Sequence, residues 1–468
     1  MKNILGISTS LRNKRFSYKN SLVEEIKNNS SLKELSNFIN NQIKVTFKDI
    51  EQSDQKLNFE EKYRELKKHK GNRGLSNSET ALVYALWQAS KVNDIQIDYL
   101  SLSNIFENED ENKLKFFKKK FLSCDGLLVS GPVYFGDRGS LTQRMIEYLN
   151  TDKDCMEHAK NIIYAGLSVG AKRNGGQETT LIFQLLDFLN LNSKVIGNGH
   201  ETTAQYGGTL VAGDIGMIVK DEYGINTALS VGKNLAETLN KINIKKETST
   251  RKKKFKCNIF ILQDNQSQDC TNVVKDMIES NLNNQIEYKI FETFDKKIHK
   301  CIACDLCPIS YGDKENYRCI INNSDDFFKK YHKEIIDCDG FIFAVYSGTN
   351  FINVKSNYQQ FIERTRYLRR DDYLLGGKMA TSLVVSEVNS NRNLHIRILT
   401  SLIRHNNILS KPIHVFKNKN EYINIKNSYN TFKEFGEAIT KLEPHTTQKE
   451  YRPLGYEISY EKYLTKKK

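Results

Sequence analysis

Residues 123–149, SCDGLLVSGPVYFGDRGSLTQRMIEYL, and residues 337–363, DCDGFIFAVYSGTNFINVKSNYQQFIE, decide how this chain folds. Each begins with an acidic residue and a glycine (Asp125–Gly126 and Asp339–Gly340), runs through an apolar strand, turns at a tyrosine and continues into a helical pattern. A short apolar run without polar alternation is the mark of a strand buried on both faces, as in a parallel sheet covered by helices. The recurrence of the whole phrase predicts an internal duplication.

Working outward, the first half alternates strand patterns (Asn3–Thr9, Asp94–Leu102, Gly126–Pro132, Asn161–Val169, Lys194–Gly199) with helical ones (Glu79–Ser90, Lys113–Leu122, Ser140–Asn150, Gln177–Leu189). The second half repeats the rhythm. Its strands are Cys257–Leu262, Glu287–Phe291, Gly340–Val345, Met379–Val385 and Ile413–Phe416, and its helices Val273–Asn281, Ser324–Ile336 and Val354–Tyr367. This alternation predicts α/β architecture built from two doubly wound domains. Their expected limits are 1–243 and 254–442, joined by a linker over 244–253 and followed by a tail over 443–468. Residues 13–75 break the alternation and read as an insertion with helical material at Ser17–Asn28 and Phe59–His69.

A chain of 468 residues exceeds one ordinary core, and its 39% hydrophobic content with 24 Phe and 23 Tyr argues against disorder. The formal charge of +14 is spread along the chain rather than gathered in a stripe, so the expectation is a solvated surface and no nucleic-acid partner. No run of 18 uncharged apolar residues appears, which predicts no membrane span. The chain begins MKNILGIST, a strand pattern with no apolar leader, and its thiols then point to a reducing cytoplasm. The nine histidines are dispersed, with no H-E-x-x-H and no G-x-S-x-G, so a hydrolytic reading has no support.

Two patterns carry chemistry. The first is CIACDLC, with Cys301, Cys304 and Cys307, followed by Cys319, so that four of nine cysteines fall in one short window. Four convergent thiolates are ligands for an iron–sulfur cluster or a structural zinc, and metal-free thiols are the third reading. The other five (Cys124, Cys155, Cys257, Cys270, Cys338) stand singly and read as small core residues. The second pattern is a set of three loops at successive strand ends of the first half. GISTSLR follows the first strand, and Ser76, Asn77 and Ser78 precede a helix, which reads either as a phosphate cradle or as an ordinary helix cap. GPVYFGD then offers a rigid aromatic turn, and SVGAKRNGGQETT a glycine-rich loop into the next helix. Together they form one crevice at the carboxyl edge of a parallel sheet, where a planar ring can lie.

With these motifs the chain resembles the flavodoxin-like NAD(P)H-dependent FMN reductases, specifically their iron–sulfur flavoprotein branch, over most of both halves. The resemblance implies two tandem flavodoxin-like domains. It implies FMN with its phosphate held by Ser10, Arg12, Asn77 and Ser78. Pro132, Val133, Tyr134 and Phe135 would flank the isoalloxazine, and Gly175, Gly176 and Gln177 would close over it. The phosphate loop departs from the family pattern in being interrupted by the insertion. For the second half the resemblance implies a 4Fe–4S cluster on Cys301, Cys304, Cys307 and Cys319, and NNSDDFF (322–328) matches the family's acidic helix start. It further implies NAD(P)H as electron donor, an unidentified electron acceptor, and an intramolecular pseudodimer open to further homo-oligomerisation. The second half's own flavin loops depart from the pattern. LQDNQSQD (262–269) places carboxylates where a phosphate would sit, and AVYSGTN keeps Tyr346 but lacks the proline. The expected activity is FMN-to-cluster electron transfer, the alternative a non-catalytic electron carrier. A basic helix end, ERTRYLRRDD (363–372), reads as an exposed surface in preference to a contact for an acidic cofactor.

Overall fold

The computed structural model describes residues 1–11, 22–53, 58, 60–61, 74–106, 110–242, 253–262, 269–281, 284–304, 307, 317–348, 356–369, 373–388, 390 and 393–442. The chain divides into two compact units, Met1–Asn240 and Lys241–Lys468.

In the first unit the elements are β1 (Lys2–Ser8), α1 (Leu22–Lys27), α2 (Leu32–Ser53), α3 (Asn77–Ala89), β2 (Ile95–Ser101), α4 (Glu111–Leu122), β3 (Gly126–Tyr134), β4 (Asp137–Arg138), α5 (Ser140–Thr151), α6 (Lys153–Ala159), β5 (Ile163–Gly170), α7 (Gln177–Asn190), β6 (Lys194–Val195), β7 (Gly208–Val211) and α8 (Glu222–Lys241). The main strands pair in parallel in the order β2-β1-β3-β5, and the outer side of β5 is completed by β6 at Ile163–Tyr164 and β7 at Leu167–Gly170. This is the 2-1-3-4-5 order of a flavodoxin-like sheet, with its fifth strand split in two. Register places Ser8 beside Ser130 and Ser130 beside Leu167, so β1 ends level with these residues while β3 and β5 run on to Tyr134 and Gly170 at the same edge.

The centre of the sheet is covered by α3, which packs on β1, β3 and β5. Its sequence, NSETALVYALWQA, is buried nearly all round, as a helix enclosed by its own domain must be. Leu82, Val83 and Leu86 are wholly buried, each contributing about 1.5–3 kcal/mol. Within the expected insertion, α2 is the long element, and the sequence reading had no helix there. Its buried Leu35, Ile39, Gln42, Ile43 and Thr46 recur at helical spacing, so it binds the unit by one stripe. Of the helices expected there, the first is seen as α1, whereas Phe59–His69 falls almost wholly outside the described residues.

The second unit contains β8 (Phe255–Ile261), α9 (Asp269–Ser280), β9 (Ile286–Glu292), α10 (Phe327–Lys330), α11 (His332–Ile336), β10 (Gly340–Ser347), α12 (Ser356–Arg364), α13 (Arg366–Arg369), β11 (Met379–Glu387), α14 (Leu394–Ile403), β12 (Ile408–Leu409), β13 (Ile413–Asn418), β14 (Glu421–Tyr422) and α15 (Ile425–Thr440). Its parallel order is β9-β8-β10-β11, again with a split outer strand, β12 and β13, on β11. The two units therefore carry the same strand order.

Two expectations are corrected. The helix expected over Ser324–Ile336 is two short ones, α10 and α11, with Tyr331 between them off helical geometry (ψ 15°). Of the basic segment 363–372 only 363–369 is described, and there the exposed surface is replaced by a largely inward one: Arg364, Thr365, Tyr367 and Leu368 are each at most 3% exposed, Arg366 and Arg369 are half-buried, and Glu363 is exposed. Periodicity explains the second error, because Phe361 and Arg364 share one face of α12 and that face is turned inward, as is Leu368 of α13. The linker 244–253 and tail 443–468 fall outside the described residues apart from Lys253, as does most of LQDNQSQD. Among the described residues no helix is long and apolar enough to cross a membrane.

Candidate functional site

At the carboxyl edge of the first unit, β1 ends in Ser8 and continues into Thr9 and Ser10, all buried. Thr9 donates its backbone N–H to the Ser130 carbonyl at 2.9 Å, which ties the loop to β3. The Thr9 hydroxyl is buried and has no hydrogen-bond partner among the described residues. Gly131 lies directly opposite, and a Cβ there would sit 2.3 Å from that oxygen. A buried orphan hydroxyl at a sheet edge marks a place where a polar partner is missing. Arg12 falls outside the described residues.

Ser76 is the N-cap of α3: its hydroxyl accepts from the Glu79 N–H at 3.2 Å, and the Glu79 carboxylate accepts from the Ser76 N–H at 2.9 Å. This capping box settles Ser76 as structural. Asn77 has both ends of its amide in use, donating to the Asp214 carbonyl at 3.0 Å and accepting from the Gly216 N–H at 3.1 Å. It fastens the loop after β7 to the start of α3. Ser78 is buried and its carbonyl accepts from the Ser130 hydroxyl at 2.7 Å. What α3 offers a ligand is therefore the first-turn N–H groups of Asn77 and Ser78, since that of Glu79 is taken by the Ser76 hydroxyl, more than its side chains. Glu79, in that same first turn, also accepts from the Tyr99 hydroxyl, and burial pushes its carboxyl up to about 7. At neutral pH a good part of it is uncharged, which reduces repulsion of an anion at the helix start.

The aromatic turn follows β3. Pro132 and Val133 are half-buried, Tyr134 is 46% exposed and Phe135 is fully exposed in a left-handed conformation (φ 52°). Gly176 (φ +102°) begins α7 so close to this turn that a Cβ there would lie 2.7 Å from Gly136 Cα and 3.3 Å from the Val133 side chain. The loops carrying Val133–Phe135 and Gly175–Gln177 are thus brought together. Gln177 is buried and spent on its own loop: its amide donates to the Lys172 and Leu210 carbonyls and accepts from the Gly175 N–H. It shapes the loop.

In the second unit the four expected metal ligands stand apart from the other cysteines. Cys301, Cys304, Cys307 and Cys319 are half-buried and none forms a disulfide, whereas the remaining five are buried. Burial holds those five in the thiol form, Cys155 pushed up to about 12. Ala303 has φ +50°, a left-handed turn between Cys301 and Cys304. Among the described residues no three His, Cys, Asp or Glu side chains are gathered at metal-binding distance. The donor set suits a soft metal or cluster in kind and number, and ligation would have to draw the sulfurs inward.

The ends of this cysteine segment are held by groups that the sequence reading missed. Asp326 and Arg364 form a buried ion pair, Nη2 to Oδ1 at 2.9 Å, with side chains 0% and 1% exposed. Asp326 accepts from the His299 N–H at 3.1 Å, two residues before Cys301. Arg364 donates to the Tyr317 hydroxyl at 2.6 Å, two residues before Cys319, and to the His299 carbonyl at 3.2 Å. One charge pair thus clasps both ends of the segment. In the same unit Tyr346, the residue retained from the aromatic turn, donates its hydroxyl to Glu387.

No protein-family model matches the chain. Over 121 residues it is 34% identical to an iron–sulfur flavoprotein of Methanocaldococcus jannaschii, a match covering 26% of this chain and 62% of that protein. The chain is a relative of the iron–sulfur flavoproteins. It spans less than two-thirds of that relative's length. Among solved structures, a flavone reductase aligns at 15% identity and TM-score 0.29 over 51% of this chain and 63% of its own. An NADH:FMN oxidoreductase in its apo form aligns at 12% identity and TM-score 0.29 over 51% and 88%. The flavodoxin-like assignment stands on the strand order of each unit.

Proposed function

We propose that the chain is a flavin-dependent oxidoreductase that binds FMN without a covalent bond in the first unit, carries a 4Fe–4S cluster on Cys301, Cys304, Cys307 and Cys319 in the second, and takes electrons from NAD(P)H for an acceptor still to be identified. The observation that carries this reading is the carboxyl edge of the first unit. There the orphan Thr9 hydroxyl follows β1, the start of α3 is tied to β3 by the Ser130–Ser78 hydrogen bond, and two uncovered aromatic side chains stand at the end of β3. The kinship with an iron–sulfur flavoprotein supports it. FMN, when bound, supplies hydride and single-electron chemistry, and a cluster single-electron chemistry. The chain's own contribution is binding and orientation. Thr9, Ser10 and the first-turn N–H groups of α3 would hold the phosphate, with Arg12 adding its guanidinium. Val133, Tyr134 and Phe135 would flank the ring, Gly176 lets the neighbouring loop approach, and Gln177 and Asn77 keep their loops in place.

Thr9→Val is the sharpest test of the flavin site. The variant keeps the shape and removes a hydroxyl that has no partner, so the apo protein is expected to be as stable as wild type or more so. FMN affinity is expected to fall about tenfold, the equivalent of one lost hydrogen bond of about 1.4 kcal/mol. Gly176→Val, which adds a branched side chain where φ is +102° and space is lacking, should abolish flavin retention. Fluorescence titration with FMN reads both. A wild-type protein that retains no FMN after reconstitution defeats the assignment.

Anaerobic metal analysis with a visible spectrum tests the cluster. About four irons and four sulfides per chain are expected, falling to near zero in Cys304→Ser and in Cys307→Ser, with Cys319→Ser testing the fourth ligand. Stoichiometric zinc without iron would make the site structural. Anaerobic mixing with NADH or NADPH then separates a reductase, whose yellow colour bleaches, from a passive carrier, whose colour persists.

A further inference from the structure

The insertion that interrupts the phosphate loop supplies α2, and the contacts of α2 follow α3 in reverse. Ser36 is hydrogen-bonded to Tyr84 in the body of α3. Farther along α2, a Cβ at Gly216 would sit 2.5 Å from Ile43 Cγ2, and the Gly216 N–H donates to Asn77 in the first turn of α3. Farther still, a Cβ at Gly74 would sit 2.1 Å from both the Gln42 carbonyl oxygen and the Thr46 hydroxyl. Gly74 stands just before the Ser76 cap. The two helices therefore run antiparallel, and α2 passes the start of α3 between Ile43 and Thr46. It continues to Ser53, so residues 47–53 carry it about 10 Å beyond that point.

Both glycines allow close approach, and Gly216 adds a φ of +73° at which a side chain would be strained. Ile43 is buried, and Thr46 is buried with its hydroxyl donating to the Gln42 carbonyl at 3.3 Å. These groups are built to hold neighbours rather than to touch a ligand. The N–H groups of Asn77 and Ser78 serve a phosphate only if they are held within about 0.5 Å of the right geometry. The two loop residues that flank them, Gly74 and Gly216, are both seated on α2. A terminal phosphomonoester ends at such a site. A phosphate diester continues outward, past the helix start that α2 overhangs.

We propose that α2 is the wall of the phosphate pocket and that Ile43 is its positioning residue. Pressed on Gly216, Ile43 holds the start of α3 in the geometry that receives a terminal phosphomonoester. That geometry sets FMN apart from riboflavin, which has no phosphate, and from FAD, whose phosphate continues into a second nucleotide. The inference rests on the flavin reading of the first unit and gives the insertion its part in it.

Fluorescence titration of the full-length chain, stripped of flavin, with FMN, riboflavin and FAD tests it. Wild type is expected to bind FMN about tenfold or more tighter than either of the others. Ile43→Ala removes the contact with Gly216 and should weaken FMN about tenfold while moving riboflavin by less than about twofold, so that both preferences collapse. Ile43→Val, a smaller truncation, should fall between. Gly74→Ala drives a methyl into the Gln42 carbonyl, displaces α2 by a different route and should have the effect of Ile43→Ala. Leu35→Ala, at the far end of the same buried stripe, should lower the thermal midpoint and leave both preferences intact, so lost stability alone does not imitate the result. Wild-type preferences in Ile43→Ala and Gly74→Ala, with FMN still bound, would overturn the role of α2 and leave the flavin site standing. A wild-type chain that binds none of the three flavins would overturn both.

Discussion

Arg364→Leu is expected to destabilise the second unit by about 3–5 kcal/mol and to cost it most of its bound metal with all four cysteines intact. The Asp326 carboxylate is fully buried and receives Arg364, His299 and the Lys329 N–H. Removing the guanidinium leaves a buried carboxylate facing a leucine, which is far costlier than replacing both charges together. The damage is also directed. Arg364 is the donor that holds Tyr317 near Cys319, and with Asp326 it holds His299 near Cys301, so its loss frees both ends of the cysteine segment at once. Arg364→Lys keeps the charge but not the fork, and should fall between. Denaturant unfolding and iron content on the same samples check this. A wild-type midpoint with full iron loading in Arg364→Leu would mean that the clasp does not organise the segment.

The architecture was legible because its central strands have few alternatives. LGIS, GLLVS, IIYAGL and GFIFAV are apolar without alternation, flanked by glycines or acids, and all proved to be inner parallel strands. The split outer strands were half legible. Lys194–Val195 was expected to run on to Gly199, whereas the ladder breaks there and resumes with GTLV at Gly208, a run too short to show a period. The α2 helix was missed for a different reason. Its Asn- and Lys-rich composition hides a narrow stripe, and mean composition cannot reveal one.

The site was legible as loops more than as roles. Side chains expected to touch a ligand, Asn77 and Gln177, turned out to fasten the loops that carry them, since an amide can donate and accept within one turn. Thr9, by contrast, was read only as one hydroxyl of the loop GISTSLR and was not among the expected phosphate ligands, because only the fold shows that its hydroxyl is enclosed without a partner among the described residues. Arg364 was hidden among the four arginines of ERTRYLRR. The signal that finds it is the register of Phe361, which places position 364 on the same inward face of α12.

The two units are expected to respond to pH in opposite directions, and the chain's one tryptophan allows the first to be watched alone. Glu79 is buried with its carboxyl raised to about 7 from an ordinary 4.5. Between those values the unfolded chain gives up a proton that the folded unit keeps, so stability falls as pH rises through this window, by about 3 kcal/mol in all, and is flat above it. In the second unit His395 and His405 are buried and neutral, both lowered to about 3 from 6.5. Here the unfolded state takes up protons first, and stability falls as pH drops below about 6.5. Trp87 lies in α3, so its fluorescence reports the first unit, while far-ultraviolet circular dichroism reports both. From pH 5 to pH 8 the Trp87 transition should move to lower temperature in wild type and stay nearly still in Glu79→Gln, whose amide imitates the protonated acid and still serves the capping box. The same proton should control the flavin site. Once Glu79 ionises, the first turn of α3 presents a negative charge beside the position assigned to the FMN phosphate, so FMN affinity should weaken as pH rises through 7. Glu79→Gln should hold its affinity across that range. Parallel pH profiles for wild type and Glu79→Gln would instead place the phosphate elsewhere than at the start of α3.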